Sequence, residues 1–393
     1  MRVSDALALI RERLAIVAEA ETVSAREALG RILAADVAAP LSLPPFDNSA
    51  VDGYAFRFAD LGKSPLPVAA RVPAGKAVAE IPPGSAARIF TGAPLPRGAD
   101  TVAMQEETSL DGDAVRLPAT IGRGANCRRA GEDVARGSLA LPAGRRLGPR
   151  DLALASALGV GDLPVRRRLR VGVFSTGDEV TATGDGLAPA GIHDANGPML
   201  SALLARWGAL PRALGILRDD ASSLRTRLAE AATRYDLIVT SGGVSVGEED
   251  HVRAAVDEAG GITLWRLAIK PGRPLAFGEV GGTPFLGLPG NPGAAYVTAV
   301  AVLLPVLRFL SGGTEEPALP LVRSGFALTK RLGRREYLRV CLHQGADGLS
   351  EARPAPGGAL TGLAASDGLA ELGEEIEAIR PGDLLPFRAH PLG

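Results

Sequence analysis

The chain has 393 residues, with 43 basic against 44 acidic side chains and a formal net charge of -1. No global field would therefore hold nucleic acid or an anionic membrane, and any bound anion must be gripped by a local site. Apolar residues make up 46 % with only 4 % aromatics, and 49 Gly with 30 Pro stay below the disordered range, so at roughly 150 residues per domain two to four folded domains are expected.

From the N-terminus, Val3, Leu7, Ile10 and Leu14 share one face of a predicted helix, and a second, turn-rich helix is expected from Ser24 through Leu33. Between Pro40 and about Leu141, short Val/Ala/Ile runs broken by Pro-Pro, Gly-Ala-Pro and Asp-Gly-Asp predict small β elements joined by tight turns. A helix pattern returns over 149–160. The β-rich part, 43–141, thus reads as an insertion into a helical and linker unit made of 1–42 and 142–166. From Leu169 strands (169–174, 211–216, 237–240) alternate with helices (198–207, 222–233, 251–259), the pattern of a doubly wound parallel sheet over 167–313. Residues 314–393 return to short apolar runs between Gly and Pro and predict a small C-terminal β domain, giving an α/β multidomain chain. The apolar runs stop short of the roughly 20 residues of a spanning helix, and the mixed charges of 1–21 do not read as a leader, so a cytoplasmic protein is expected.

Cys127 and Cys341 stand far apart and there are four His, which argues against a disulfide scaffold or a Cys/His zinc site. Ligands of open α/β sheets bind beyond the carboxyl ends of the strands, which directs attention to the segments there. After 237–240 comes Ser241-Gly242-Gly243-Val244-Ser245-Val246-Gly247-Glu248-Glu249-Asp250, a Gly-rich turn whose N–H groups can cradle a phosphate, although the Lys-Ser/Thr ending of a Walker loop is missing. Acids beside such a loop repel the ligand unless a cation intervenes, so Asp250 either holds Mg²⁺ or caps the next helix. Ser175-Thr176-Gly177-Asp178-Glu179 forms a second acidic loop at the same edge, and Arg218-Asp219-Asp220 adds a carboxylate pair. Asp194 and Asn196, just before Pro198, read first as helix caps. Trp265 to Pro274 is the densest cationic stretch, with Arg266, Arg273 and Lys270, one of only four lysines; Pro289-Gly290-Asn291-Pro292 forms a rigid third turn. In the β-rich part, the loops at 46–55, 88–94 and 128–133 read individually as turns.

Together these segments resemble the molybdopterin molybdenumtransferase family, MoeA in bacteria and the gephyrin E domain in animals. The matching stretches run along nearly the whole chain: Asp47-Asn48-Ser49-Ala50-Val51-Asp52-Gly53-Tyr54-Ala55, Thr91-Gly92-Ala93-Pro94, Arg128-Arg129-Ala130-Gly131-Glu132-Asp133, Ser175 to Glu179, Ser241 to Asp250, Lys270-Pro271-Gly272-Arg273-Pro274, Leu288 to Pro292 and Gly333-Arg334-Arg335-Glu336-Tyr337. The resemblance implies an enzyme that inserts molybdate into adenylylated molybdopterin and releases AMP with Mg²⁺. It also implies a four-part subunit with a small barrel-like C-terminal domain, and a homodimer whose site joins the α/β domain of one subunit to the β-rich domain of the other. An adenylyltransferase partner is compatible with it.

Carried over by motif, Asp52, Thr91, Asp133, Glu179, Asp219 and Asp250 are the catalytic candidates, with Glu179 and Asp250 nearest the metal. Ser175, Thr176, Gly177, Asp194, Ser241, Gly242, Gly243, Ser245, Gly247, Gly290 and Asn291 would bind the substrate, Arg266, Lys270 and Arg334 would form the cationic pocket for molybdate, and Pro289 with Pro292 would shape its wall. Two positions depart from the family: Arg266 stands where Lys is frequent, and Ala364-Ala365-Ser366-Asp367-Gly368 replaces a Ser-Ala-Asn-like segment. The oxyanion hydroxyl is then displaced to Ser366 or lost, and Asp367 opposes binding if it points inward. The alternatives are a molybdopterin adenylyltransferase, against which the extra β domains argue, and a non-catalytic molybdopterin-binding scaffold.

Overall fold

A computed structural model describes residues 1–76, 80–218, 220–243, 251–314, 318–345 and 347–391. The first predicted helix forms over Val3–Arg13 and buries Val3, Ala6 and Ile10, one face at three- and four-residue spacing, in the core of the α/β part. The second predicted helix does not form. Ala20–Ser24 is instead a strand antiparallel to Asp162–Arg166, and the following turns bridge Ile32 to Arg146 and Leu33 to Val165. Ala28 and Leu33 bury against Leu147, Ala155, Leu163 and Val165, and this packing overrides the helix propensity of the segment. The helix at 149–160 forms over Pro149–Ala157.

The β-rich part is a six-stranded sheet in the order Thr101–Met104, Gly53–Phe56, Ala86–Ile89, Leu66–Val72, Ala114–Arg116, Ser109–Asp111. Its alternation serves two separate cores. Tyr54, Phe56 and Ala86 bury on one face, and Ala55, Ala87 and Ile89 on the other.

The α/β part is a six-stranded sheet in the order Leu210–Leu217, Arg170–Thr176, Leu237–Ser241, Thr283–Leu288, Pro274–Val280, Ile262–Arg266. The expected parallel sheet is therefore mixed at one edge. Pro274–Val280 runs antiparallel to both neighbours, because the short Gly281-Gly282 turn returns the chain directly as a hairpin. Pro292–Leu310 is one apolar helix, long enough by length and composition to cross a membrane, but it is largely buried inside the protein. It widens to a π turn over Ala299–Leu303, just ahead of Pro305, which has no N–H to offer the ladder.

In the C-terminal part, Arg335–Gln344, Ser350–Pro354, Leu321–Ser324, Leu384–Ala389 and Gly368–Leu372 pair in sequence, and the last returns to the first to close a five-stranded barrel. Its core holds Val340, Ala352, Ala370, Leu372, Leu385 and Phe387.

Candidate active site

Three strand-end segments of the α/β sheet are tied together by side chains. Ser175 Oγ donates to Asp194 Oδ2 at 2.6 Å, while Asp194 Oδ1 accepts from the backbone N–H of Asn196 and Gly197 at 3.0 and 2.9 Å. Asp194 is thus the cap that the sequence suggested. Asn196 does something else. Its Nδ2 donates to Ser241 Oγ at 2.6 Å and to the Gly290 carbonyl at 2.7 Å, linking the turn at 241–243 to that at 289–292. Thr176 Oγ1 completes the link by donating to the Ser241 carbonyl at 3.1 Å. Gly242 sits between them at φ 95°, where an added Cβ would fall 2.4 Å from Thr176 Oγ1. Asn196 Oδ1 and Thr240 Oγ1 are buried with no hydrogen-bond partner among the described residues, so the network keeps free polar capacity at its centre.

Glu179 is exposed, and its carboxylate folds back over Gly177, close enough that a Cβ there would lie 2.4 Å from Oε2. Arg218, to which the sequence assigned no role, pins this loop by donating to the carbonyls of Gly177 and Asp178 at 3.2 and 2.8 Å. Asp219, Ser245, Gly247 and Asp250 lie outside the described residues. Neighbouring Asp220 caps the helix Ala221–Ala232 by accepting from Ser223 N, and this bond holds its carboxyl below the usual carboxylate range.

Lys270 is placed by a junction between parts. Ile269–Lys270 adds in parallel to the barrel strand Arg335–Gln344, bringing Lys270 Nζ 3.1 Å from Glu336, whose side chain is 5 % exposed. Behind it, Gly272 at φ 89° presses on the long helix, where a Cβ would meet Thr298 Oγ1 at 2.7 Å. A pocket of about 320 Å³ opens beside this junction, lined by Lys270, Pro271, Asn291, Glu336, Tyr337 and Arg339 among others. Arg334 lies next to the pocket wall and gives Nη2 to the Ile269 carbonyl at 3.3 Å, with Nε buried and unpartnered among the described residues. Arg266, Pro289 and Pro292 do not line this pocket: Arg266 is exposed at the far end of the turn, opposite Pro274 in the hairpin. Glu336 and Arg339 are charged lining residues that sequence reasoning missed. Glu336 stood out only inside a family motif, and Arg339 only as one of many arginines.

Ser366 is not free. Its Oγ donates to the Leu363 carbonyl at 2.8 Å and meets His390 Nε2 at 2.7 Å, while His390 Nδ1 meets the Tyr296 hydroxyl at 2.5 Å. Burial pushes the Tyr296 hydroxyl up to about 12 and lowers His390. The Asp367 carboxylate accepts from Leu342 N at 2.7 Å, so its charge is engaged by the barrel backbone.

On the β-rich part, Asp52 and Thr91 come together across 39 residues: Asp52 Oδ1 accepts from Thr91 N at 2.8 Å and from Thr91 Oγ1 at 2.7 Å. The Thr91 backbone bond, then its hydroxyl, hold this exposed carboxyl below its ordinary range. Asp47 fixes the adjoining loop by accepting from Arg129 Nη1 and Ala130 N at 2.6 and 2.8 Å. Asp133 is exposed on that loop, its backbone N–H bonded to the Leu43 carbonyl. Among the described residues no hydrogen bond or ion pair joins Asp52, Thr91 or Asp133 to the strand-end loops of the α/β part.

The chain matches three families in order: the MoeA N-terminal region (domain I and II) over residues 1–159, a probable molybdopterin binding domain over 172–308, and the MoeA C-terminal region (domain IV) over 322–388. It is 40 % identical over 383 residues to molybdopterin molybdenumtransferase 2 of Mycobacterium tuberculosis, covering 93 % of each chain. It is 38 % identical over 333 residues to molybdopterin molybdenumtransferase of Haemophilus influenzae, covering 84 % of this chain and 82 % of that one. The crystal structure of the molybdopterin biosynthesis moeA protein from Pyrococcus horikoshii OT3 superposes with a TM-score of 0.83 at 28 % identity, covering 99 % of this chain and 100 % of that one. With this similarity carried across three adjoining regions and nearly the full length, the chain belongs to the MoeA family of molybdopterin molybdenumtransferases.

Proposed function

We propose that the chain inserts molybdate into adenylylated molybdopterin and releases AMP, giving the molybdenum cofactor. The observation that carries this reading is the network through Asn196, which holds three phosphate-cradling segments together in the same α/β part that carries Lys270. Gly243 supplies a backbone N–H toward a phosphate at the strand end, where the Gly242 N–H is tied to the Leu288 carbonyl at 2.9 Å and shapes the turn. Lys270 and Arg334 supply positive charge and donors for the dianionic second substrate, with Glu336 fixing the ammonium in place. Asp52, held as a carboxylate by Thr91 at neutral pH, accepts a proton or orients an oxygen nucleophile; it is unsuited to act as an acid.

Mg²⁺ is held in phosphate chemistry by one or two carboxylates together with the substrate's own phosphates and water. Glu179 fits that pattern, since it is exposed at a strand end beside the Ser175–Gly177 turn. Glu179 would hold the ion, with Asp250 as the second carboxylate. When bound, the ion shields phosphate charge as the phosphoanhydride breaks.

The Asp52–Thr91 pair makes no hydrogen bond or ion pair to the strand-end loops of its own chain among the described residues, which accords with a homodimer in which each site is completed by the partner subunit's β-rich part, within a four-part subunit bounded near 42, 142, 167 and 314. A cytoplasmic location and a transient adenylyltransferase partner accord with this chemistry. An adenylyltransferase would instead consume ATP. Mixing the protein with adenylylated molybdopterin, Mg²⁺ and molybdate tests the proposal through molybdate-dependent AMP release, whereas pyrophosphate release from molybdopterin and Mg-ATP would overturn it.

A further inference from the structure

A second cationic site lies away from the pocket described above, where the chain passes from the first unit into the α/β sheet. Five arginines, Arg31, Arg146, Arg166, Arg167 and Arg168, line one cleft there, against Trp207 and the backbone of Gly30 and Gly208. Two of them are neutralised within the chain. Arg31 pairs with Glu21 and also gives Nη2 to the Arg166 carbonyl at 2.8 Å, while Arg167 is held by Asp236 at 2.6 and 2.9 Å. Arg166 gives Nη1 to the Ala18 carbonyl at 3.1 Å. Arg146 and Arg168 have no carboxylate or carbonyl acceptor for their guanidinium groups among the described residues. Desolvation in the cleft, followed by repulsion from Arg168, lowers the pKa of Arg146. Its guanidinium is seated beside Gly208, where a Cβ would come within 3.3 Å of Nη2.

Two guanidinium groups that line one cleft, have no carboxylate beside them and cannot shed their protons repel each other, and an anion bound between them relieves this. The chain, with a net charge of -1, has no bulk field to explain such a cluster. We propose that this cleft binds a small tetrahedral oxyanion, of the phosphate or molybdate type, between Arg146 and Arg168. Size sets the class. The cleft has a volume of about 40 Å³, room for a few waters or one such ion. Arg146 belongs to the first unit and Arg168 to the segment that enters the sheet, so the ion would clamp the two parts at their junction.

The test is calorimetric titration of the full chain at fixed ionic strength, with inorganic phosphate and molybdate as separate probes. A Lys270→Ala background removes one of the two cations proposed for the substrate pocket and so weakens oxyanion binding there. Expected is saturable oxyanion binding in that background, weakened roughly tenfold or more by Arg168→Ala and lost in Arg168→Glu, which replaces a cation of the cleft by a carboxylate. Tighter binding of phosphate or of molybdate identifies the physiological source. Arg168 is exposed, so its variants are expected to fold, and circular dichroism checks this. Absence of binding of both anions in the Lys270→Ala protein, or undiminished affinity in Arg168→Ala, would overturn the proposal. Neither result bears on AMP release, so this inference and the proposed activity fail independently.

Discussion

Replacing Asn196 by Ala removes the two donors that join the strand-end loops while leaving the helix Asn196–Arg206 a good helix former at its first position. The Ser241 hydroxyl, 2 % exposed, loses its 2.6 Å partner, and the Gly290 carbonyl, at an exposed residue, loses its 2.7 Å partner but can be rehydrated. At about 1 kcal/mol for the bond that water can replace and about 1–2 kcal/mol for the buried one, the loop cluster should loosen by about 2–3 kcal/mol. That corresponds to roughly 30- to 160-fold faster local opening. Hydrogen exchange reads it directly at the Gly242 amide, which donates to the Leu288 carbonyl at 2.9 Å beside Ser241. The Leu342 amide, bonded to Asp367 in the barrel, serves as the control and should not change. Exchange at Gly242 that stays within about threefold of wild type would refute the reasoning that Asn196 holds these loops. Transferase activity should fall together with this protection.

Three further outcomes follow from the same geometry. Gly242→Ala should abolish substrate binding and destabilise the α/β part, since a Cβ at φ 95° would lie 2.4 Å from Thr176 Oγ1 and 3.1 Å from its carbonyl; wild-type binding by titration would contradict the tight approach. Burial pushes Asp236 up, but hydrogen bonds from Arg167 and Arg170 outweigh it and hold its pKa at about 2. Its folded-state pKa is depressed, so its contribution is complete above about pH 4 and is lost as pH falls toward 2; the stability gap between wild type and Asp236→Asn in denaturant titrations should close over that window. If the site is shared between subunits, mixing inactive Asp52→Asn and Lys270→Ala proteins should restore activity, up to about a quarter of wild type after free exchange in a dimer. No recovery after verified exchange would place both residues in one chain's site.

Much of the architecture was readable because strand-to-helix alternation and Gly/Pro punctuation have local causes. The strand-end loops at 175–179, 241–243 and 289–292 were found from position alone, as sheet edges where ligands gather. What escaped is non-local. The segment Ala25-Arg26-Glu27-Ala28-Leu29 has helix-forming residues, yet Ala28 is fully buried against Leu147 and Leu163, and tertiary packing decided its conformation. The strand Pro274–Val280 opens on proline and follows a basic turn, so its antiparallel pairing could be seen only with the Gly281-Gly282 return in place. Asn196 looked like a cap because caps share its residue type; its reach to Ser241 and Gly290, 45 and 94 residues away, has no sequence signal. Glu336 looked like one charge in a β run until the parallel pairing of Ile269–Lys270 set it against Lys270. The Asp52–Thr91 contact was reached through the family motifs, since neither loop reads as more than a turn by itself.

The central claim is molybdate insertion, and the most direct measurement follows AMP release from adenylylated molybdopterin with Mg²⁺, before and after molybdate is added, alongside reconstitution of a molybdoenzyme apoprotein. The account predicts AMP release that depends on molybdate and tracks reconstitution. Tight binding of the adenylylated pterin with neither output would contradict it and leave a binding scaffold, with the engaged Ser366 hydroxyl the first place to seek the cause.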